Sequence, residues 1–190
     1  TYWQILPLSP LNHTRGTDSP YKSFSAFAGN PYYIDLDRLI AQGLLTREEC
    51  DAPDFGNRTD TIDYEKLYHT RLPLLRKAYE RSRIAEKPEY QRFLVENGWW
   101  LDDYALFMAL KDFFGDQEWR EWPEDIRRHW GFAIDYYNRA LYYEVEFDKY
   151  LQFEFFQQWY GLKAYANSRN IKIVGDIAIY VLLDSADVWA

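Results

Sequence analysis

The residues best suited to chemistry lie in a polar loop near the start of the chain. Asp18, Ser19 and Tyr21 supply a carboxylate, a hydroxyl and an amphipathic ring within four positions. A tyrosine can stack on the apolar face of a sugar and form a hydrogen bond through its hydroxyl. These residue types are therefore able to bind a sugar. A capped turn at Asp18, with Tyr21 and Phe24 in the core, is the simpler explanation of the same residues.

Asp176 is the second candidate, because it is an acidic residue inside a nearly continuous apolar run, residues 171–181. A buried carboxylate costs roughly several kcal/mol unless it is paired or hydrogen-bonded. We therefore expect a partner for Asp176, either Lys172 or a basic residue of another strand. A functional role and a structural ion-pair role explain Asp176 equally well.

The other reactive residue types show no catalytic or metal-binding pattern. His13, His69 and His129 are scattered, and Cys50 is the only cysteine. The sequence has no glycine-rich phosphate loop. It therefore predicts no metal site, no cofactor and no internal disulfide.

Both candidates are predicted to lie beside strands. The apolar pattern predicts a short strand over residues 2–8 and a strand covered on both faces over residues 171–181. A long loop, residues 9–33, follows the first strand at its carboxyl end, where α/β folds place their sites. The sequence therefore predicts that the first candidate site follows one strand and that Asp176 lies within the other.

The apolar spacing between the strands predicts helices over four stretches: 35–43, 63–85, 88–114 and, as one or two helices, 133–169. Thr46 begins a capping box, and a short helical piece is expected after Pro123. Pro73 and Gly98 are expected weak points. Two buried parallel-type strands separated by so much helix do not make a sheet alone. We therefore expect a slice of a larger α/β protein.

Composition excludes several classes of protein. The net charge of −8 argues against nucleic acid as a partner, because phosphate backbones are bound by Lys and Arg. No run approaches the roughly 18–20 apolar residues that a membrane span needs. The hydrophobic share of 47% is sufficient for a packed core. A single cysteine fits a reducing compartment, so we expect a cytoplasmic protein without nucleic-acid or membrane partners.

Several segments resemble the amylomaltases, or 4-α-glucanotransferases, of the α-amylase clan. They are Tyr2–Leu8, Asp18–Pro31, Trp99–Leu110, Gly175–Val181 and Asp184–Ala190. The resemblance covers the whole chain and implies a slice of a TIM (β/α)8 barrel, about strands 2 and 3, with a large, mainly helical insertion between them. Residues 1–34 would be barrel strand 2 and its active-site loop, 35–168 the insertion and a barrel helix, and 169–190 barrel strand 3 and the start of the following helix.

The resemblance also implies an activity, the transfer of α-1,4-glucan segments between maltodextrins by a retaining, covalent mechanism. The family's nucleophile, acid/base and stabilising aspartate lie in motifs that this chain lacks. We therefore assign no catalytic residue and expect this stretch alone to be inactive. Tyr21 matches the tyrosine that stacks on the sugar beside the scissile bond. Asp18 and Ser19 match donor-side loop residues, and Asp176 matches an acid that supports the active-site network.

Three departures from the family pattern lie near these residues. Ala178 stands where proline is usual, and Leu182 stands where a small residue is usual. Residues 9–17 are longer than the usual connection, which affects the placement of Asp18 and Ser19.

Two other functions stay open. A non-catalytic glucan-binding relative would use the same loop and the aromatic residues without turnover. A helical scaffold with no sugar role would bury Tyr21 and Asp176 in packing, far from any shared cleft.

Overall fold

The computed structural model describes residues 1–11, 19–56, 58, 60–177 and 181–190. Its elements in chain order are β1 (Tyr2–Gln4), α1 (Leu36–Ala41), α2 (Arg47–Asp51), α3 (Tyr64–Ser82), α4 (Pro88–Phe113), α5 (Glu124–Arg127), α6 (Gly131–Ala140), α7 (Tyr142–Ser168), β2 (Lys172–Val174) and α8 (Ala186–Trp189). Single 3-10 turns lie at Pro31–Tyr33, Ile84–Glu86 and Trp119–Glu121. The predicted helices are confirmed, and the stretch 133–169 contains two of them, α6 and α7.

Local sequence explains where several helices begin. The Asp35 side chain accepts a hydrogen bond from the N–H of Asp37 and caps α1. Thr46 and Glu49 form the predicted reciprocal capping box at the start of α2. These bonds satisfy N–H groups that have no partner inside the first turn of a helix.

Neither predicted weak point ends its helix. α3 continues through Pro73 and α4 continues through Gly98. Pro73 is exposed, so water can satisfy the carbonyl of His69 that receives no hydrogen bond from a proline. Burial of the opposite face, including Leu74 and Leu75, stabilises the helix across this position.

The core is centred on α4 and α7, against which α3 and α6 pack. Its large side chains are aromatic; for example, the rings of Phe93 and Phe153 meet edge to face at 5.6 Å. Full burial of one such side chain contributes about 1.5–3 kcal/mol relative to exposure. Among the described residues, no helix is both long enough and apolar enough to cross a bilayer.

The two strands form a parallel pair in which Trp3 lies opposite Ile173. The pairing extends by one bond at each end: the N–H of Ile5 donates to the carbonyl of Val174, and the N–H of Lys172 donates to the carbonyl of Thr1, both at 3.0 Å. Both strands are largely exposed. Within the part of the chain that the structure describes, the strands are shorter than the predicted runs 2–8 and 171–181, and the second strand is not covered on both faces. Without further strands and covering helices, only a three-residue ladder forms.

Candidate active-site cleft

A cavity of about 200 Å³ lies at the carboxyl ends of the two strands. It is lined by residues that follow β1, residues that follow β2, part of the loop after β1, and α7; these include Leu6, Leu8, Phe27, Gly29, Phe155, Trp159, Gly175 and Asp176. Because the strands are parallel, their carboxyl ends share one edge of the sheet. This is the edge at which α/β proteins bind ligands.

Tyr21 and Asp176 meet at this edge. The Tyr21 hydroxyl donates a hydrogen bond of 2.6 Å to Oδ2 of Asp176, and Oδ1 of Asp176 accepts from the N–H of Ile177 at 2.9 Å. The bond to Asp176, followed by burial, raises the pKa of Tyr21 above its usual value. Tyr21 therefore remains a hydrogen-bond donor at neutral pH.

The position of Asp176 differs from the expectation. Asp176 lies beyond the end of β2 and is exposed, whereas the sequence predicted a carboxylate buried within a strand. Lys172 is not its partner, because the Lys172 ammonium instead lies 6.0 Å from the centre of the Tyr2 ring. Among the described residues the partner is the hydroxyl of Tyr21, a neutral group.

A tight turn presents Tyr21 to Asp176. The carbonyl of Ser19 accepts from the N–H of Lys22 at 3.0 Å, and Pro20 occupies the second position, where its fixed φ favours the turn. The Ser19 hydroxyl accepts a longer bond, 3.4 Å, from the N–H of Tyr21. Three positions named from the sequence, His13, Asp18 and Ala178, lie outside the described residues, as does most of the stretch 9–17.

The alternative explanation, a structural loop with Tyr21 and Phe24 in the core, is right for Phe24 and wrong for Tyr21. Phe24 is a core residue with 4% exposure, as that alternative predicts. Tyr21 is only partly buried, and its hydroxyl faces Asp176 rather than the core. The scaffold interpretation placed Tyr21 and Asp176 far from a shared cleft, and their direct contact argues against it.

Asp187 of α8 holds the loop after Tyr21, and sequence reasoning did not identify this role. One of its carboxylate oxygens accepts from the hydroxyl of Ser25 and the other from the N–H of Ala26, both at 2.7 Å. The N–H of Ala186 also donates to the carbonyl of Phe24 at 2.8 Å. The loop after β1 and the segment after β2 are therefore joined at a second place.

Gln152 of α7 anchors the same loop. Its side-chain oxygen accepts from the N–H of Gly29 at 2.7 Å, and its side-chain nitrogen donates to the carbonyl of Gly29 at 3.0 Å. A β-carbon on Gly29 would lie 2.0 Å from a ring carbon of Phe155, so only glycine permits this approach. Sequence reasoning did not identify this role of Gln152. A polar residue within the apolar run of α7 could have indicated it, because burying an amide is costly unless it has hydrogen-bond partners.

A buried ion pair ties the end of the chain to α4. The Lys111 ammonium lies 3.0 Å from Oδ2 of Asp184 and also donates to the carbonyls of Asp116 and Gln117. Oδ1 of Asp184 accepts from the N–H of Trp119 at 3.2 Å. Buried charges are tolerated when additional hydrogen bonds satisfy them in this way. This network fixes the segment that carries Asp187.

The comparisons with known proteins agree along the whole chain. Residues 1–190 match the family model described as 4-alpha-glucanotransferase. The 4-alpha-glucanotransferases of Clostridium butyricum and Streptococcus pneumoniae are 45% and 44% identical over all of this chain, which spans 38% and 37% of their lengths. The amylomaltase from Streptococcus agalactiae, solved in complex with acarbose, matches the whole chain with a TM-score of 0.91 at 36% identity, over 38% of its own length.

A parallel strand pair with a cleft at its carboxyl edge defines an α/β protein, and the structural match fits a TIM-barrel region of the α-amylase clan. The chain belongs to the 4-α-glucanotransferase family. It spans little more than a third of the curated relatives that it matches.

Proposed function

We propose that the whole protein transfers α-1,4-glucan segments between maltodextrins and that this chain supplies part of the donor-side wall of its active site. The observation that carries the proposal is the hydrogen bond between Tyr21 and Asp176 at the carboxyl edge of the strands. It joins two of the residues that the resemblance assigned to the site. Membership of the whole chain in the family supports the reaction class.

In this proposal β1 and β2 are barrel strands 2 and 3. Residues 1–34 contribute one strand with its active-site loop, residues 169–190 contribute the next strand, and residues 35–168 are the mainly helical insertion with a barrel helix. The exposed apolar side chains of the strand pair support the assignment, because neighbouring barrel strands would cover them. Cys50 is a buried free thiol, which fits a protein of the reducing cytoplasm.

Tyr21 would act through its ring. A hydroxyl held by Asp176 restricts rotation of the phenol, so that its face is oriented before the substrate arrives. A pyranose stacked on this face would shield the scissile bond from water, which would otherwise compete with the acceptor glucan. Ser19 and Asp18 would contact the hydroxyls of the donor sugar.

Asp176 would act as a positioning residue. Its exposed carboxylate retains free acceptor sites that a basic group in the remainder of the protein could occupy. The retaining reaction requires two further carboxylates at roughly 5–5.5 Å from each other across the scissile bond. Asp176 would thus connect the tyrosine that orients the sugar with the groups that cleave it.

The test is maltotriose disproportionation by the whole protein. We expect Tyr21→Ala to lower kcat/KM by about 100-fold, because loss of orientation at a reacting centre has effects of that size. Tyr21→Phe keeps the ring and loses only the bond to Asp176, so we expect a loss of about tenfold. Asp176→Asn should lower kcat with little change in KM. Tyr136→Phe, at an exposed tyrosine of α6, is the matched control and should leave kcat/KM unchanged.

Three results would contradict the proposal in different ways. Full activity of Tyr21→Ala would remove Tyr21 from the site while leaving the family activity intact. Maltodextrin binding without products in the wild type would favour a non-catalytic glucan-binding protein, in which Tyr21→Ala weakens binding only. A folded wild type with neither binding nor products would overturn the function itself.

A further inference from the structure

Two carboxylates that follow β2 in the chain contact the loop that follows β1. Asp176 accepts from the hydroxyl of Tyr21 at 2.6 Å. Asp187 accepts from the hydroxyl of Ser25 and from the N–H of Ala26, both at 2.7 Å. The first contact holds the far end of the Tyr21 side chain, and the second holds the backbone a few residues later. A ring held only at its hydroxyl can still move with its backbone, so the orientation of Tyr21 depends on both contacts.

The helical body holds Asp187 from both sides. On the amino-terminal side, Asp184 forms the buried ion pair with Lys111 of α4. On the carboxyl-terminal side, the Trp189 side chain is buried, and its indole N–H donates to the carbonyl of Ile126 at 2.9 Å. The Asp187 carboxylate therefore has a fixed position against which the loop can be held.

Further bonds extend this restraint along the loop toward Tyr21. The buried Ser23 hydroxyl donates to the carbonyl of Ser25 at 2.8 Å and accepts from the N–H of the same residue at 3.2 Å. Phe24 is buried in the core, and its carbonyl accepts from the N–H of Ala186 at 2.8 Å. The backbone over residues 23–26 is therefore fixed, and Tyr21 lies two residues before it.

The place of Asp187 in the first turn of α8 does not account for these bonds. Acidic residues are common there because they interact favourably with the helix dipole. Here, however, the two partners lie in a loop 161 and 162 positions away in the chain, and both of them donate. A carboxylate accepts at both oxygens, whereas the amide of asparagine accepts at only one. The arrangement therefore suits a carboxylate that serves the loop.

We propose that Asp187 is a positioning residue for glucan transfer and that it acts through the loop backbone on the ring of Tyr21. The inference rests on the proposed function. In transfer, one glucosidic bond forms for each bond that breaks, so the number of reducing ends stays constant. In hydrolysis, one water is consumed and one new reducing end appears. A Tyr21 ring that moves would admit water to the glycosyl intermediate, so loss of the Asp187 contact should favour hydrolysis.

The test is maltotriose turnover by the whole protein, in which transfer products and new reducing ends are measured separately. We expect Asp187→Ala to lower kcat/KM for transfer by about tenfold. The share of turnover that ends in hydrolysis should rise by about threefold. Asp187→Asn keeps the shape and one acceptor oxygen, so its loss of kcat/KM should be smaller, about threefold. Asp135→Ala, at an exposed aspartate of α6, is the matched control and should leave both quantities unchanged.

A double variant separates positioning from folding. If Asp187 acts through Tyr21, Asp187→Ala should change kcat/KM by less than about twofold when Tyr21 is already alanine. An equal loss in both backgrounds would overturn the proposal. Transfer and hydrolysis that fall by the same factor, with a lower melting temperature, would also overturn it and leave Asp187 as a residue that only stabilises the fold.

Failure of the inference differs from failure of the proposed function. An active wild type with fully active Asp187→Ala and Asp187→Asn variants would overturn the inference alone. A wild type that binds maltotriose without forming products would overturn the proposed function, and the inference would then require calorimetry to show weaker maltotriose binding by Asp187→Ala. A wild type with neither binding nor products would overturn both.

Discussion

The helical body, residues 36–168, buries many large apolar side chains in a shared core, whereas the sheet edge, which comprises the strands and the residues directly after them, leaves most of its own exposed. In the body, Tyr90 and Tyr150 are 1% and 0% exposed. At the sheet edge, Tyr2 and Ile177 are 71% and 77% exposed. The body therefore forms a core within this chain, and the edge does not.

This difference shows where stability and function are located. The candidate site residues lie at the edge, where a three-residue ladder supplies few bonds. Their loop is nevertheless fixed by side chains of the body, above all Gln152 and the Lys111–Asp184 pair. We therefore expect changes in the body to alter folding, and changes of Tyr21 or Asp176 to alter activity with little effect on folding.

The largest loss of stability is expected from a change at the contact between the body and the segment that carries Asp187. Lys111→Met would leave Asp184 buried without its cation, and we expect a loss of about 3–5 kcal/mol in the free energy of unfolding. Lys111 is 1% exposed, so water cannot replace the lost partner. Urea denaturation of the whole protein, followed by circular dichroism, measures the change.

Arg128→Met is the matched control, because Arg128 forms an exposed pair with Glu124, four residues earlier on the chain. Exposed pairs of this kind contribute about 0–1 kcal/mol. Equal stabilities of Lys111→Met and Arg128→Met would show that the Lys111–Asp184 contact does not join the two regions.

A smaller loss of stability is expected from a change where the loop after β1 packs on α7. Gly29→Ala places a β-carbon 2.0 Å from Phe155, so the loop or the ring must move and the two bonds to Gln152 are strained. We expect a loss of about 1–3 kcal/mol in the free energy of unfolding, which is typical of overpacking. Denaturant unfolding of the variant beside the wild type measures the change.

Gly131→Ala provides the contrast, because a β-carbon there meets nothing within 4 Å and the position is the first of α6. Alanine favours helix, so stability should be unchanged or slightly higher. A Gly29→Ala protein as stable as the wild type would mean that the loop is not held against α7.

Local patterns predicted the body well and the edge poorly. Periodic spacing over 63–85 and 88–114, and the capping box at Thr46, depend on residues within a turn or two of each other. The extent of β2 depends instead on whichever strands lie beside it. The run over 171–181 is nearly continuous in apolar residues, yet among its described residues only Lys172–Val174 pair with β1.

The candidate site likewise has features that the sequence predicted and features that it did not. Residue types singled out Tyr21 and Asp176, and the structure brings them to 2.6 Å from each other. Spacing could not reveal that contact, because it joins residues 155 positions apart. The bond between Gln152 and Gly29 was missed for the same reason, although a polar residue within an apolar helix indicated that a partner was needed.

The smallest change in stability is expected at the surface of the body, at a residue that does not line the cleft. Glu49 accepts hydrogen bonds from Arg81 and Lys77, which together with the N–H of Thr46 lower its pKa to about 2 from an ordinary 4.5. A carboxyl whose pKa falls on folding contributes stability above its unfolded pKa and loses it as the pH falls through the folded one. Glu49→Gln should therefore lower the melting temperature slightly at pH 7, and this difference should become smaller as the pH falls to about 2.

Glu96→Gln, at an exposed position of α4, is the control for removing one acidic charge and should have little effect at either pH. Thermal melts of both variants separate the pair formed by Glu49 from the general effect of net charge. A destabilisation by Glu49→Gln that is as large at pH 2 as at pH 7 would show that the side chain acts through packing rather than through its charge. Unchanged maltotriose turnover at pH 7 in Glu49→Gln would confirm that stability at the surface of the body is separable from chemistry at the sheet edge.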